Sequence, residues 1–143
     1  MNTETPRCRL MEGIWDQDID THPDESYKFT HANYECEIRR SKNTWTYCAY
    51  VQLPDTHPDF YKDQYEIDFD EGMEPHGCLS YGNKKGKFGI DFAHGSDMIP
   101  KQSYSYFIIF NNINPFSHYW TFNEVKQEVE KLADQFKKRE LIN

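Results

Sequence analysis

The C-terminal segment carries the most constraining pattern in the sequence. Between residues 122 and 140, apolar side chains recur at three- and four-residue steps, namely Phe122, Val125, Val129, Leu132 and Phe136. Because an α-helix completes a turn in about 3.6 residues, this spacing places all of them on one side of a helix. Thr121 and Glu124 have the spacing of a capping box, which marks the first turn. The chain is therefore predicted to end in a long helix that buries one stripe of its surface.

Two β-hairpins are predicted upstream of this helix. In residues 34–40 and 44–53, apolar side chains alternate with polar ones, which is the period of a half-buried strand, and a short polar loop joins the two runs. Residues 77–81 and 87–92 form a second pair around a turn at 82–86 that contains two glycines. In that pair Phe88, Ile90 and Phe92 are expected to point one way, and Asp91 the other.

A further apolar run at residues 104–110 is short and aromatic enough to be a buried strand. With the two hairpins it gives an antiparallel sheet of four to six strands. The predicted fold class is α+β, a single domain in which this sheet packs against one long C-terminal helix.

The composition is consistent with one folded domain over residues 1–143, since this length is close to that of a domain of about 150 residues. A mean hydropathy of −0.93 is low, but ten Phe, ten Tyr and three Trp supply the burial area that disordered segments lack. Residues 1–30 carry much of the acid at the N-terminus, and the sequence leaves open whether they form a loosely attached segment.

Negative charge is concentrated in two stretches. The sequence has 24 acidic and 16 basic side chains, a formal net charge of −8. Residues 12–25 carry a net charge of −6 and residues 55–74 one of −7, so the remainder is slightly basic. Such blocks are typical of solvated, self-repelling loops, and we interpret both in this way. The surplus of acid argues against direct general nucleic-acid binding, which requires lysine and arginine to release phosphate counterions.

The sequence also bears on membrane association and redox state. No stretch approaches the roughly 18 apolar residues of a membrane span, and residues 1–10 lack an apolar leader, so a cytosolic protein without membrane association is expected. Cys8, Cys36, Cys48 and Cys78 are widely spaced, which disfavours a zinc ribbon or a thioredoxin motif. Cys36 and Cys48 could face each other across the first hairpin, but reduced thiols are the expectation in this compartment.

The polar side chains suited to chemistry are concentrated in a glycine-rich stretch. Six of the seven glycines fall between residues 72 and 95. Glycine is used where the chain turns tightly or where another group approaches the backbone closely. Residues 72–97 contain the candidate ligand-binding residues His76, Tyr81, Lys85, Asp91, His94 and Asp97.

Three kinds of site are open for this set. Asp91 and Asp97 each lie three residues from His94, and His76 could join them across the hairpin, as in a divalent-metal site. The same groups could act as a general acid and base. They could also bind a polar ligand without a metal. The alternative is a purely structural role, in which Asp91 and Asp97 cap turns and the histidines occupy surface positions.

The segments HGCLSYG at 76–82 and FGIDFAHGSD at 88–97 resemble a family of small uncharacterised bacteriophage and prophage proteins that contain HGGLTYS and GFDxxHxxD elements. The resemblance covers residues 47–137, about two thirds of the chain. Cys78 replaces the second glycine of the first element, and Lys87 and Phe88 stand at the tryptophan positions of the strand that carries the second element. The resemblance implies a phage accessory protein that acts in the host cytoplasm against a host defence system.

Three functions follow as hypotheses. The first is an accessory protein that sequesters a small polar ligand such as a nucleotide signal, or blocks a host defence protein. In it, aromatic side chains form a stacking wall: Tyr81, Phe88, Phe92, Tyr104 and Tyr106. The second is a metal-dependent hydrolase built on His76, Asp91, His94 and Asp97. The third is an acidic DNA mimic that occupies a basic site on a host protein. The sequence does not decide between a monomer and a homo-oligomer.

Overall fold

The computed structural model describes residues 15–42, 44–69, 78–93, 97–100 and 118–142. In these residues the elements are a short helix α1, five strands, a single 3₁₀ turn and a long helix α2. Their bounds are α1 Asp16–Thr21, β1 Ser26–His31, β2 Tyr34–Arg40, β3 Tyr47–Gln52, the 3₁₀ turn Gln64–Glu66, β4 Tyr81–Gly82, β5 Lys87–Asp91 and α2 Phe122–Ile142.

The strands form one antiparallel sheet in the order β1-β2-β3-β5-β4. Both predicted hairpins are present, as β2–β3 and β4–β5, although β4 is shorter than expected. With α2 packed on the sheet, the predicted α+β fold is confirmed. The expected strand at 104–110 lies outside the described residues.

The core lies between α2 and one face of the sheet. The predicted helical stripe, Phe122, Val125, Val129, Leu132 and Phe136, is buried in it together with Ala133. The sheet contributes alternate residues of its central strands: Cys36, Ile38, Ala49, Val51, Phe88 and Ile90. Burying each large apolar side chain stabilises the fold by about 1.5–3 kcal/mol, so this contact is the main source of stability.

Strand β1 was not predicted from the sequence. It pairs with β2 through a two-residue turn, in which Ala32 and Asn33 have φ of 55° and 66°. Positive φ at both central residues is the backbone of a type I′ turn, whose twist matches that of the strands it joins. Tyr27 and Phe29 of β1 pack against the core, so residues 26–31 are part of the sheet.

Asp18 of α1 links the N-terminal acidic block to the core. Its carboxylate accepts hydrogen bonds from the hydroxyls of Tyr47 at 2.7 Å and Tyr119 at 2.6 Å, and from Arg40 at 3.1 Å. It also accepts one from the backbone N–H of Phe122 at 3.1 Å, the first residue of α2. A carboxylate at this position satisfies a free helix donor and the positive end of the helix dipole.

The tyrosines of this cluster remain hydrogen-bond donors at physiological pH. Burial, more than any nearby charge, raises the pKa of both Tyr47 and Tyr119. Trp15, at the start of α1, is fully buried and its ring lies 6.3 Å from that of Tyr119. Residues 15–21 are thus bonded to the sheet and to the start of α2.

A second buried carboxylate lies near the other end of α2. Asp59, on the loop after β3, is 1% exposed and pairs with Arg139 at 2.9 Å and with Lys62 at 2.9 Å. Burial by itself raises the pKa of Asp59, but the hydrogen bonds from Arg139 and Lys62 outweigh it and hold the pKa below the usual aspartate range.

The interpretation of both acidic blocks as solvated loops is therefore wrong at two positions. Among the described members, Asp59 is buried and the Asp18 side chain is only 11% exposed, and each bonds α2 to another part of the chain. A buried carboxylate is tolerated only when cationic or hydrogen-bonding partners replace the lost water, and both residues have them. The sequence pattern shows where acidic residues are concentrated, but it does not show which of them have cationic or hydrogen-bonding partners in the fold.

Replacing Asp18 with asparagine is expected to destabilise the protein by about 2–4 kcal/mol, because an amide removes the charge opposite Arg40 and offers fewer acceptor sites. Urea unfolding at neutral pH measures the difference. Asp24→Asn, an exposed position in the same acidic block, is the matched control and is expected to change stability by less than about 0.5 kcal/mol. Equal losses in the two variants would show that the Asp18 contacts contribute nothing specific.

Asp59→Asn is expected to lower stability at pH 7 by about 1–3 kcal/mol. Because the folded pKa of Asp59 is depressed, its contribution is complete above the unfolded pKa of about 4 and is lost as the pH falls through the folded value. The difference from wild type should therefore shrink below about pH 4. Urea titrations at several pH values test this, with the exposed Asp55→Asn as control. A difference that stays constant into acid would contradict the assignment.

Candidate functional site on the outer face of the sheet

The face of the sheet opposite α2, called the outer face below, carries mostly polar side chains. Because side chains alternate along a strand, the residues between the core positions all point to this side. Strand register arranges them in three rows across the sheet: Ser26, Arg39, Cys48 and Asp91; Lys28, Glu37, Tyr50, Gly89 and Tyr81; and Thr30, Glu35, Gln52 and Lys87.

Tyr50 lies at the centre of the middle row and its ring covers Gly89 on the neighbouring strand. A Cβ on Gly89 would lie 2.7 Å from two carbons of that ring, closer than any real contact. Gly89 is therefore required where it stands, since any side chain would displace Tyr50. The glycine that the sequence marks as a place of close approach serves this packing of one side chain over the backbone.

Two other side chains complete the surroundings of Tyr50. The ammonium of Lys87 lies 4.7 Å from the centre of its ring, a cation–π contact. The ring of Tyr81 meets it edge to face, with centroids 5.8 Å apart and an interplanar angle of 90°. Burial is the main cause that raises the pKa of Tyr50, so its hydroxyl is a neutral donor and acceptor.

Beside this tyrosine, the outer face has a groove of about 420 Å³. We call it the outer groove; its lining residues are Lys28, Phe29, Thr30, Glu35, Cys36, Glu37, Tyr50, Gln52 and Lys87. Two lysines and two glutamates give the lining a balanced formal charge. Within it, Glu37 accepts a hydrogen bond from Ser26 at 2.5 Å and lies 3.9 Å from the ammonium of Lys87.

The outer groove offers the elements of a polar binding site. Lysine and glutamine side chains donate hydrogen bonds, carboxylates accept them, and Tyr50 adds an aromatic surface. Its volume is in the range of small-molecule sites, about 300–1,000 Å³, and it is open to solvent rather than enclosed.

The structure places three of the predicted ligand-binding residues in or near this face. Tyr81 and Asp91 are on the outer face, as the predicted alternation of β5 requires. Lys85 lies in the β4–β5 turn, where the Asn83 side chain accepts hydrogen bonds from the backbone N–H groups of Lys85 and Lys87 at 2.8 and 2.9 Å. The turn therefore holds Lys85 beside the outer face.

Asp97 has a different environment. It is buried, and its carboxylate accepts a hydrogen bond from the indole N–H of Trp120 at 2.8 Å. Trp120 packs on Phe92 at the edge of the core, with ring centroids 5.1 Å apart. Asp97 thus supports the packing before α2, whereas Asp91 points to the outer face. His76 and His94 lie outside the described residues.

The predicted stacking wall is wrong for two of its members. Phe88 and Phe92 are buried in the core between the sheet and α2, because β5 turns its apolar side chains inward, and they are closed to a ligand. Tyr81 is exposed, and Tyr104 and Tyr106 lie outside the described residues. Among the described residues the aromatic surface of the outer face is instead formed by Tyr50 with Tyr81.

Sequence reasoning did not select the residues at the centre of the outer groove, such as Tyr50, Gln52 and Glu37. The available signal was indirect. Buried positions 47, 49, 51 and 53 imply that 48, 50 and 52 point outward, but only the register shows which strands face them.

The described residues contain no group of three or more His, Cys, Asp and Glu side chains placed to hold a metal ion. The metal-site hypothesis depends on His76 and His94, which are outside those residues, so it stays a prediction. In the part of the chain that the structure describes, neither helix has the length and apolar character needed to cross a membrane.

Cys36 and Cys48 lie on opposite faces of the sheet. Cys36 pairs with Val51 and is buried in the core, whereas Cys48 pairs with Arg39 and belongs to the outer face. The possibility that they face each other across the hairpin is therefore wrong, and Cys36, Cys48 and Cys78 are free thiols, as expected. Burial raises the pKa of the Cys36 thiol to about 11.

Alkylation should follow this difference in exposure and pKa. In native protein at pH 8, iodoacetamide is expected to modify the exposed Cys78 first and Cys48 more slowly, while Cys36 reacts only after unfolding, because the thiolate is the reactive form. Mass spectrometry of peptides over a time course measures the order. The denatured protein is the control, in which the three should react at similar rates. Early labelling of Cys36 in the native protein would contradict its position in the core.

Comparison of the chain with models of protein families, with curated proteins and with solved structures found no match in any of the three. The assignment of a candidate site therefore depends on the geometry of the outer face and on the chemistry of its side chains.

Proposed function

We propose that the protein is a binding protein without catalytic activity, and that its outer groove takes a small polar ligand with a negatively charged group. The observation that carries this proposal is the groove of about 420 Å³, in which Lys28 and Lys87 accompany the ring of Tyr50. The lysines supply positive charge and the ring supplies contact area, the combination that suits a nucleotide or a similar aromatic anion.

An anion can bind in the groove by replacing Glu37 as the partner of Lys87. Lys87 lies 3.9 Å from Glu37, beyond a direct hydrogen bond, and is about one third exposed. Its ammonium is therefore available to a phosphate that offers a shorter, charge-assisted contact. Glu37 keeps its hydrogen bond from Ser26 and would accept a donor from a sugar or a base.

The biological role belongs to the same proposal. The resemblance of residues 76–82 and 88–97 to phage proteins supports an accessory protein that sequesters a signal molecule in the host cytoplasm, or that blocks a host defence protein. Sequestration requires affinity and no bond-breaking step, and a preformed groove on a rigid sheet is suited to it.

The two other functions receive less support from the described residues. For the DNA mimic, Asp18 bonds the start of α2 and Asp59 bonds Arg139, seventeen residues further along the helix. At 1.5 Å per residue the two blocks are anchored about 25 Å apart, which does not favour one continuous phosphate-like face. For the hydrolase, Asp97 is hydrogen-bonded to Trp120, while Asp91 points to the outer face.

The proposal predicts nucleotide binding that depends on the groove lysines. In titration calorimetry with a panel of mononucleotides, dinucleotides and cyclic nucleotides, at least one is expected to bind, and Lys28→Met and Lys87→Met should each weaken it about ten-fold or more by removing a charged hydrogen bond. Lys131→Met, an exposed position on α2, makes the same charge change away from the groove and should leave affinity unaltered.

Sequestration and catalysis are separated by the fate of the ligand. Heating the complex should release the nucleotide intact, which chromatography can show, whereas a processed product would indicate an enzyme. The proposal fails if no member of the panel binds, or if Lys131→Met weakens binding as much as the groove variants do.

A further inference from the structure

The loop between β3 and β4 exposes two tyrosines almost completely. Tyr61 is 74% exposed and Tyr65 is 86% exposed. Single exposed apolar side chains are common, but here two large rings stand four residues apart on one described segment, residues 54–69. We call Tyr61 and Tyr65, with the exposed carboxylates Asp55, Glu66 and Asp68 of this segment, the tyrosine surface.

One end of segment 54–69 is held by a buried histidine. The Nδ1 atom of His57 accepts a hydrogen bond from the backbone N–H of Asp59 at 2.9 Å. Its Nε2 atom therefore carries the proton and donates to the carbonyl oxygen of Phe136, 2.8 Å away in α2. Because both ring nitrogens are used and the ring is buried, the segment has a fixed position against the helix.

Arg139 fastens the same segment at two points. Its guanidinium binds the carboxylate of Asp59 and also donates to the carbonyl oxygen of Asp68 at 2.6 Å. A bidentate guanidinium contact fixes geometry as well as adding energy. Both sides of the tyrosine surface are thereby bonded to α2.

The middle of the segment is fixed by local contacts. Asp63 and Glu66 form a complete capping box around the 3₁₀ turn that carries Tyr65. Gly82 of β4 lets the backbone approach, since a Cβ there would lie 2.5 Å from the backbone nitrogen of Gln64. Gly86, with φ of 86°, likewise accommodates the ring of Phe60. The two tyrosines thus project from a backbone fixed on several sides.

A rigid backbone that presents exposed aromatic rings has the properties of a binding surface. Because the backbone is already ordered, binding loses less conformational entropy there, and more of the contact energy appears as affinity. Tyrosine is among the residues that contribute most at interfaces, because it combines a large ring with a polar hydroxyl.

The charge around the rings indicates what kind of partner fits. Lys62 and Arg139, the basic groups bonded to this segment, are both directed to Asp59. Asp55, Glu66 and Asp68 on the same segment are exposed, so the exposed charge of the segment that carries the tyrosines is negative. This charge opposes nucleic acid and favours cations, and a guanidinium can both pair with a carboxylate and stack on a tyrosine ring.

We propose that the tyrosine surface docks an arginine-rich segment of a partner protein. Aromatic rings at positions 61 and 65 receive the guanidinium planes, and the surrounding carboxylates pair with their charge. The residues of this surface do not line the outer groove, so the proposal is independent of the nucleotide-binding function.

The test uses the full-length chain and a peptide array with fixed arginine pairs surrounded by randomised positions. A matched array with glutamate in place of arginine is the reference. Wild-type protein should bind a subset of the arginine peptides and none of the glutamate ones. For the selected peptides, Tyr61→Ser/Tyr65→Ser should weaken binding about ten-fold or more in fluorescence polarisation. Circular dichroism should show an unchanged fold, because both side chains are exposed.

Leu141→Ser is the matched control, since it removes a side chain that is 78% exposed at the end of α2. It should leave peptide affinity unchanged. Replacing arginine by lysine in a bound peptide should weaken it, because lysine lacks the planar group that stacks on tyrosine. Affinity should also fall between about 50 and about 500 mM salt.

Three results would overturn the proposal. The first is an arginine array that is bound no better than the glutamate array. The second is a tyrosine variant that binds as well as wild type, since the attraction would then be general charge alone. The third is sedimentation that shows wild-type dimers and none for the tyrosine variant, which would make a second copy of this chain the occupant.

Discussion

The packing of α2 on one face of the sheet is the contact on which the rest of the structure depends. Its apolar stripe is buried against the sheet, and a carboxylate bonds the helix near each end. Asp18 accepts the first backbone N–H of α2, and Asp59 pairs with Arg139. Since the helix holds α1 at one end and segment 54–69 at the other, the positions of both acidic segments follow from it.

Covering one face of the sheet leaves the other for polar side chains. Alternation along each strand requires this division, and it explains why Tyr50, Lys87 and Glu37 meet at the outer groove although they come from three strands. The tyrosine surface arises in a similar way, because some side chains of its loop face α2 and others face solvent. The loop uses His57 and Asp59 to bond α2, so its tyrosines are turned outward. The core contact therefore positions two separate surfaces.

Much of the fold could be predicted because local patterns agree with it. The stripe from Phe122 to Phe136 and the capping box at Thr121 identified α2, and alternation identified β2, β3 and β5. Strand β1 was missed because it is largely polar and because the two-residue turn at Ala32 and Asn33, which joins it to β2, was not recognised. Within the candidate site, Tyr81 and Asp91 were assigned to the correct hairpin. Phe88 of β5 and Phe92 just after it were assigned to a ligand surface, although both are buried in the core.

The sequence by itself determined the secondary structure with the strongest periodicity, the fold class and the location of the excess acid, because these depend on neighbours along the chain. Only the tertiary structure decided which acids are buried, which face of the sheet is open and which residues of different strands meet there. Those outcomes depend on partners far apart in sequence, as Asp18 with Arg40 and Asp59 with Arg139 show. A carboxylate has the same letter in a solvated loop and in a buried ion pair, and only its surroundings distinguish the two.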